Sequence, residues 1–298
     1  MDGELVPWED AHVHVLTHSL HYGTAVFEGI RAYPTDRGPA IFRLTEHIAR
    51  LARSASLLSM EMPFDEATLC EATREVVRSS GQQGCYIRPL VYYGYGEMGL
   101  NPLLCDAHVA IAVWPWGAYL GDEGVANGIR LKVSSWARLD PRTLPTAAKA
   151  TGMYINSSLA KVEAVRSGYD EALLLTTDGY LAEGTGENLF LVRNGELLMP
   201  PMSATGALSG ITADAVCVLA SDLGYPVRET LLRRADIYLA DEAFLTGTAA
   251  EVVPIASVDD HPVGGGKPGP ITKVLQEHFR GVVHGEVDRY KDWLDYVE

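Results

Sequence analysis

The chain lacks most of the features that would place it in a specialised class. Its four cysteines, Cys70, Cys85, Cys105 and Cys217, are scattered and form no C-x-x-C pair. That excludes a disulfide framework or a cysteine zinc site and fits a reducing cytoplasm. No apolar run approaches the ~20 residues needed to span a bilayer. The N-terminal MDGELVPWED is acidic and without an apolar stretch, so neither a membrane span nor a signal peptide is expected. Positive charge is scarce: 24 Lys and Arg stand against 39 Asp and Glu, a net charge of -15. This excludes a nucleic-acid partner, because a phosphate backbone needs a basic surface. It does not exclude one small anion, which needs only a few local donors. Internal repeats and low-complexity tracts are absent as well.

What remains is a globular chain of 298 residues, 47% hydrophobic and 21% charged, long enough for about two domains. In the first half, Ile48, Leu51, Ala52, Ala55 and Leu58 fall on one face of a helix that Thr45 is placed to cap. Asp65 caps a second helix with Leu69, Ala72, Val76 and Val77 facing inward. Tyr86–Tyr93 and His108–Trp114 read as strands. The segment WPWGAYLGDEGVANG breaks the pattern, which divides the chain into a domain over 1–117, a connecting loop over 118–128 and a larger domain over 129–298. There, ALLLTT meets Asp178-Gly179, and NLFLV meets Asn194-Gly195 before ELLM. Both dipeptides signal hairpins with the positive φ values of type I′ turns. Helices start near Thr212 and Pro270. Strands paired through hairpins predict a mixed α+β fold and not a doubly wound parallel sheet.

Chemistry is carried by a few segments. Lys149, in LPTAAKATGMY, has small uncharged neighbours and no nearby acid in sequence. Desolvation there favours the neutral, nucleophilic amine, although a surface loop lysine is the commoner reading of such a fragment. Glu183 and Glu187, in YLAEGTGENLF, lie between two strands; a carboxylate beside a pyridine nitrogen keeps it protonated and makes the ring an electron sink, whereas the default is an acidic hairpin loop. SGITADAV, with Gly210 and a cap at Thr212, and TGTAAE, from Gly247 to Glu251, offer free amides for a phosphate. Two patterns mislead. Gly264, Gly266 and Gly269 spell G-x-G-x-x-G, but Pro268 removes an amide and too little chain follows for a dinucleotide fold. His12, His14, His18 and His21 crowd together without cysteine and with few carboxylates, which fits packed or surface histidines better than a metal site, so no metal is expected.

Taken together and in order, HYGTAVFEGIRAY, CYIRPL, PWGAYL, PTAAKA, EGTGENLF, SGIT and GTAAE resemble the branched-chain amino-acid aminotransferases, which are fold type IV pyridoxal-phosphate enzymes. The resemblance runs from WEDAHVHV to DWLDYV. It implies an N-terminal α/β sandwich and a larger C-terminal pseudo-barrel domain, with pyridoxal 5'-phosphate as cofactor. It further implies Lys149 as the Schiff-base lysine and acid/base, Glu183 as the pyridinium partner, and Tyr154 at the ring hydroxyl. Arg50, selected over Arg43 and Arg53 by the resemblance alone, becomes the phosphate arginine, with Leu208, Gly210, Ile211, Thr212, Gly247 and Thr248 completing the cofactor set.

The implied substrate pocket comprises Tyr22, Phe27, Gly29, Arg31, Tyr86, Arg88, Met98, Leu100, Trp116, Tyr119, Tyr154, Thr248 and Ala249, with Arg88 the handle for a distal carboxylate. Glu97, in YYGYGEMGL, departs from some members and is expected to point away from the pocket. The implied reaction moves the amino group of leucine, isoleucine or valine to 2-oxoglutarate. The implied partners are small amino and 2-oxo acids and further copies of the chain, at least a dimer with a hexamer left open and Leu100 reaching the neighbouring site. The same fold also serves D-amino-acid aminotransferases, R-selective amine aminotransferases and aminodeoxychorismate lyase; Tyr86-x-Arg88 with Phe27 favours the branched-chain member. A cofactor-binding protein without turnover, or a scaffold without chromophore, is the reading from a different class.

Overall fold

The computed structural model describes residues 1–117 and 120–297. By contacts the chain divides into two compact units. One comprises Met1–Trp116, Ala148–Tyr154 and the chain from Val283 onward; the other comprises Gly117–Ala147 and Ile155–Val282. The lysine segment and the tail, both assigned from sequence to residues 129–298, therefore group with the first unit. The reason is pairing remote in sequence: Val26 bridges Ala150, and the tail joins the first sheet.

The first unit runs through α1 (His18–Tyr22), β1 (Ala25–Phe27), β2 (Ile30–Thr35), β3 (Gly38–Phe42), α2 (Leu44–Leu57), α3 (Glu66–Ser80), β4 (Cys85–Tyr93) and β5 (Ala107–Trp114). The second contains α4 (Gly121–Asn127), β6 (Ile129–Val133), α5 (Tyr154–Arg166), β7 (Glu171–Leu175), β8 (Leu181–Glu183), β9 (Asn188–Arg193), β10 (Glu196–Met199), α6 (Met202–Thr205) and α7 (Ile211–Asp222). It continues with β11 (Val227–Glu229), α8 (Arg234–Tyr238), β12 (Glu242–Gly247), β13 (Glu251–Val258), β14 (His261–Pro262) and α9 (Pro270–Val283). Strand β15 (Leu294–Tyr296) belongs to the first unit.

The first sheet has the order β1-β4-β2-β3-β15, with β5 also on β4, and all its pairs are antiparallel. Strand β4 pairs with three neighbours, and most of its side chains are buried, as a strand covered on both faces requires. Helix α2 buries Ile48, Leu51 and Ala55 as its periodicity predicts, but also His47, Arg50 and Ser54. It starts two residues earlier than expected. Thr45 lies inside the first turn, and Arg43 takes the cap position at φ 54°, its amide donating to Trp293 O at 2.7 Å. A tertiary bond thus replaces the side-chain cap. Asp65 does cap α3, accepting from the Thr68 amide at 2.8 Å, a bond of about 1 kcal/mol.

In the second sheet the order is β11-β10-β9-β12-β13-β6-β7-β8, and β8 pairs back onto β9. The run β9-β12-β13-β6-β7-β8 therefore closes on itself as a six-stranded barrel-like ring, which removes open edges. Its β13–β6 and β6–β7 pairs are parallel, so the sheet is mixed. Phe190 and Phe244 pair across β9 and β12 with ring centroids 5.0 Å apart and no exposed surface.

Asn194 and Gly195 have φ of 51° and 77°, the positive values expected of the hairpin joining β9 and β10. The Asp178-Gly179 turn differs. Only Gly179 is positive, at 78°, and its amide reaches Thr176 O at 2.9 Å, so this is a three-residue loop with the glycine in the bulge position.

The G-x-G-x-x-G lookalike turns out to seat α9. A Cβ on Gly269 would lie 2.1 Å from Glu242 Cδ, and the buried Glu242 carboxylate accepts from the Ile271 amide, the Thr272 amide and Thr272 Oγ1 at 3.0, 2.7 and 2.6 Å. No helix among the described residues is long and apolar enough to cross a membrane.

Candidate active site

In the first unit the residues around Lys149 converge through backbone pairing. Phe27 N donates to Lys149 O at 3.0 Å, and Lys149 N donates to Ser54 Oγ on α2 at 3.0 Å. A 3-10 turn over Thr151–Met153 then returns the chain so that Tyr154 OH accepts from Lys149 Nζ at 2.7 Å. Gly23 and Gly152 make that turn possible: a Cβ on Gly23 would stand 2.7 Å from Gly152 Cα. Phe27 covers the pair, its ring centroid 5.1 Å from Nζ and 4.8 Å from that of Tyr154. Among the described residues Lys149 forms no ion pair with a carboxylate.

Beneath this pair lies a buried triad. Glu28 has no exposed surface and accepts from Arg50 Nε at 2.6 Å, Arg50 Nη2 at 2.8 Å and His47 Nδ1 at 2.8 Å. Burial alone would raise the Glu28 carboxyl. The charge and hydrogen bonds of Arg50, then of His47, outweigh it and hold the group well below the usual carboxylate range. Burial likewise depresses the His47 imidazole despite the neighbouring carboxylate. Neither Glu28 nor His47 was singled out from sequence. The available signal was polar residues at 47, 50 and 54 on the same helical repeat as the apolar stripe.

The next layer is aromatic. Tyr86 and Arg88 share one face of β4, and Tyr86 pairs in register with Arg31 on β2 and Trp114 on β5. The Arg88 guanidinium lies 4.8, 5.3 and 5.7 Å from the rings of Phe27, Tyr86 and Trp114. Tyr86 also packs on Trp116, centroids 4.8 Å apart. Gly29 is required there, because a Cβ would fall 2.0 Å from Tyr86 OH. Arg31 instead stacks on Tyr33 at 4.7 Å. Three pocket candidates stand apart from this cluster as exposed side chains: Tyr22 at 41%, Met98 at 39% and Leu100 at 85%. Glu97 is exposed, and Tyr119 lies outside the described residues.

Three of the four clustered histidines make hydrogen bonds in this region. His18 bridges Thr24 Oγ1 and Gly99 O at 2.8 and 2.7 Å, His14 Nδ1 accepts from Leu16 N, His21 meets Val15 O, and His12 is exposed.

The second unit gathers the remaining cofactor candidates. Glu183, at the end of β8, is buried, forms a 2.6 Å ion pair with Arg138 Nε and accepts from Leu208 N at 3.1 Å. Asn188 Nδ2 donates to Leu208 O at 2.8 Å, and a Cβ on Gly210 would lie 1.9 Å from Asn188 Oδ1. Gly210 itself takes the cap position of α7, with no side-chain cap bond. Thr212, expected at the cap, is buried in the first turn beside Ile211. A glycine cap without a side chain leaves first-turn amides for a ligand. Gly247 packs against the Gly186–Glu187 loop, a Cβ there falling 3.2 Å from Gly186 O; Thr248 and Ala249 follow in the turn before β13, half-buried. Arg138 lies outside the motifs, and Asn188 lies inside EGTGENLF without a role assigned to it from sequence.

Glu187 is a buried acid of another kind. Burial first, then the neighbouring Glu171 charge, pushes its carboxyl up to about 8 against the Gly186 amide and Lys161. Glu171 accepts from Lys161 Nζ at 2.7 Å and Thr185 Oγ1 at 2.8 Å.

Known proteins share this architecture. The amino-transferase class IV family matches residues 25–258. The branched-chain-amino-acid aminotransferase of Escherichia coli (strain K12) is 50% identical over 99% of this chain and 96% of its own length. A crystal structure of the Escherichia coli branched-chain amino acid aminotransferase superposes with a TM-score of 0.97 at 49% identity, covering 100% of this chain and 98% of that one. The branched-chain amino acid aminotransferase from Thermobaculum terrenum, in its PLP-bound holo form, gives 0.93 at 40% identity, over 100% and 97%. The chain therefore belongs to the class IV aminotransferases, within their branched-chain-amino-acid group.

Proposed function

We propose that the chain transfers the amino group of L-leucine, L-isoleucine or L-valine to 2-oxoglutarate with pyridoxal 5'-phosphate, and that Lys149 is its catalytic residue. The observation that carries this reading is the Lys149 amine, bonded to Tyr154 OH at 2.7 Å with no carboxylate partner among the described residues. The donor set suits the cofactor. An amine with no carboxylate partner among the described residues would serve its aldehyde, the α7 terminus and Arg50 its phosphate, and the buried Glu183 carboxylate its ring nitrogen. At Gly210 a Cβ would fall 1.9 Å from Asn188 Oδ1, so glycine there lets Asn188 pack against the start of α7. When bound, the cofactor supplies an electrophilic carbon for the amino group and a ring that takes up the electron pair left by the α-proton.

Lys149 Nζ would hold the cofactor covalently, then accept the substrate α-proton and give it back on the acceptor side. Tyr154 orients that amine and would bond the ring hydroxyl. Arg50, Ile211, Thr212, Gly247 and Thr248 would hold the phosphate, with Glu28 and His47 fixing the arginine. Glu183, paired with Arg138 Nε through one oxygen and bonded by the Leu208 amide through the other, would keep a proton on the ring nitrogen. Phe27, Tyr86, Tyr154 and Trp116 would form apolar walls for a branched side chain, with Gly29 and Arg31 in the same unit, and Ala249 would contribute from the second unit. Arg88 receives the second carboxylate of glutamate or 2-oxoglutarate.

Tyr22, Met98 and Leu100 join the site from a neighbouring copy. Leu5, Trp8, Val15 and Leu20 are exposed with them, an apolar surface that supports a homo-oligomer. The cysteines are free, and three of them buried, which supports a cytoplasmic setting. An amino-donor panel with 2-oxoglutarate tests the reading. Leucine, isoleucine and valine in the L form should be the best donors; faster turnover of D-amino acids or R-amines would overturn it.

A further inference from the structure

Arg88 is held in an unusual way for a guanidinium beside a binding site. Among the described residues it has no carboxylate partner: its one hydrogen bond is a long 3.4 Å contact from Nη2 to Tyr86 OH, and its Nε is buried with no hydrogen-bond partner. Three rings surround it instead, those of Phe27, Tyr86 and Trp114. Phe27 and Tyr86 face the substrate in the reading above. Trp114 belongs to neither the motifs nor the walls. It sits at the end of β5 in register with Tyr86, its ring 5.1 Å from that of Tyr86 and 6.0 Å from that of Trp116.

We infer that Trp114 is a positioning residue that sets the balance between dicarboxylic and apolar substrates. An arginine anchored by a protein carboxylate would have to exchange that partner for the substrate's, with little net gain. Anchored by aromatic faces, it keeps its charge uncompensated and its Nε–H unspent, since a ring attracts the cation without neutralising it. Trp114 closes the third side of this cage and braces Tyr86, so the guanidinium waits at the height where a distal carboxylate arrives. With an apolar side chain in the pocket, the same rings continue to satisfy it. The inference rests on Arg88 as the receiver of that carboxylate.

The experiment uses holoenzyme variants Trp114→Leu, Trp114→Met, Trp114→Phe and Arg88→Ala. Two ratios are read: kcat/KM for 2-oxoglutarate over 4-methyl-2-oxopentanoate, and calorimetric affinity for glutarate over 4-methylpentanoate. Loss of one ring from the cage should lower both ratios roughly three- to thirty-fold in Trp114→Leu and Trp114→Met. Trp114→Phe should restore most of the loss, because it returns an aromatic face. Arg88→Ala should lower both further. Unchanged ratios in the Trp114 variants beside a large loss in Arg88→Ala would overturn the inference alone. Unchanged ratios in Arg88→Ala would overturn the Arg88 assignment, and the inference with it. If Trp114→Leu and Trp114→Met both fail to fold, Trp114 is a structural residue and the inference is likewise overturned.

Discussion

Replacing Glu28 by Gln should destabilise the protein far more than a one-atom change suggests. The carboxylate is fully buried and accepts three short bonds, two from Arg50 and one from His47. A glutamine of the same shape offers one acceptor and turns an NH2 group toward donors. The Arg50 guanidinium, itself buried, then keeps its charge but loses the Glu28 counter-charge. Breaking a buried pair from one side costs about 3–5 kcal/mol, against a total stability of roughly 5–15 kcal/mol. Urea unfolding of cofactor-free protein, followed by circular dichroism, measures the loss.

Removing both charges in Glu28→Gln/Arg50→Met should recover much of it, since the orphaned charge is the main cost. The sign with pH follows from the depressed Glu28 carboxyl. Its contribution is complete above the unfolded value near 4.5, and is lost as pH falls from there toward the lower folded value. The gap between wild type and variant should therefore narrow in acid. A single-variant loss below about 1 kcal/mol, or a double variant whose losses simply add, would refute the idea that Glu28 neutralises Arg50.

Glu187→Gln should act in the opposite pH direction. With its carboxyl pushed up to about 8, native Glu187 keeps a proton that the unfolded chain releases above about 4.5, so wild type loses stability as pH rises through that window. The variant lacks this penalty, and its thermal midpoint should gain on wild type between pH 5 and 8. The gain is several kcal/mol at most, because one proton of difference between the two states is worth roughly 1.4 kcal/mol for each pH step; a gap constant with pH would contradict the buried acid. Gly29→Ala should displace the Tyr86 ring, whose OH occupies the Cβ position, at a cost of about 1–3 kcal/mol. Raised KM for amino donors should accompany it, and an unchanged KM would show that Tyr86 does not line the pocket.

The parts of the molecule that sequence revealed are those set by local rules. Asp65 caps α3, Asn194-Gly195 turns the hairpin into β10, and α2 buries Ile48, Leu51 and Ala55, because capping, positive φ and helical periodicity act over a few residues. Parallel pairing of β6 with β7 and β13, and ring closure of β8 onto β9, depend on partners far along the chain. Nothing in IRLKV or LAE announces them. The same division runs through the site. Lys149, Tyr154, Glu183 and Arg50 were legible because their motifs resemble a family, and spacing alone left a surface lysine as the commoner reading. Glu28, His47, Arg138, Asn188 and Trp114 were not. Each acts by touching another side chain or a backbone group across the fold, so even Glu28 and Asn188, which lie inside the motifs, showed no role until their partners were known.

The central assignment is Lys149 as the residue that binds the cofactor. Borohydride reduction of the purified holoenzyme, followed by digestion and mass mapping, tests it directly. The predicted result is a phosphopyridoxyl group on the peptide containing Lys149, and on none containing Lys132, Lys161, Lys267, Lys273 or Lys291. A label on any of those five positions, or active enzyme that takes no label, would contradict the assignment.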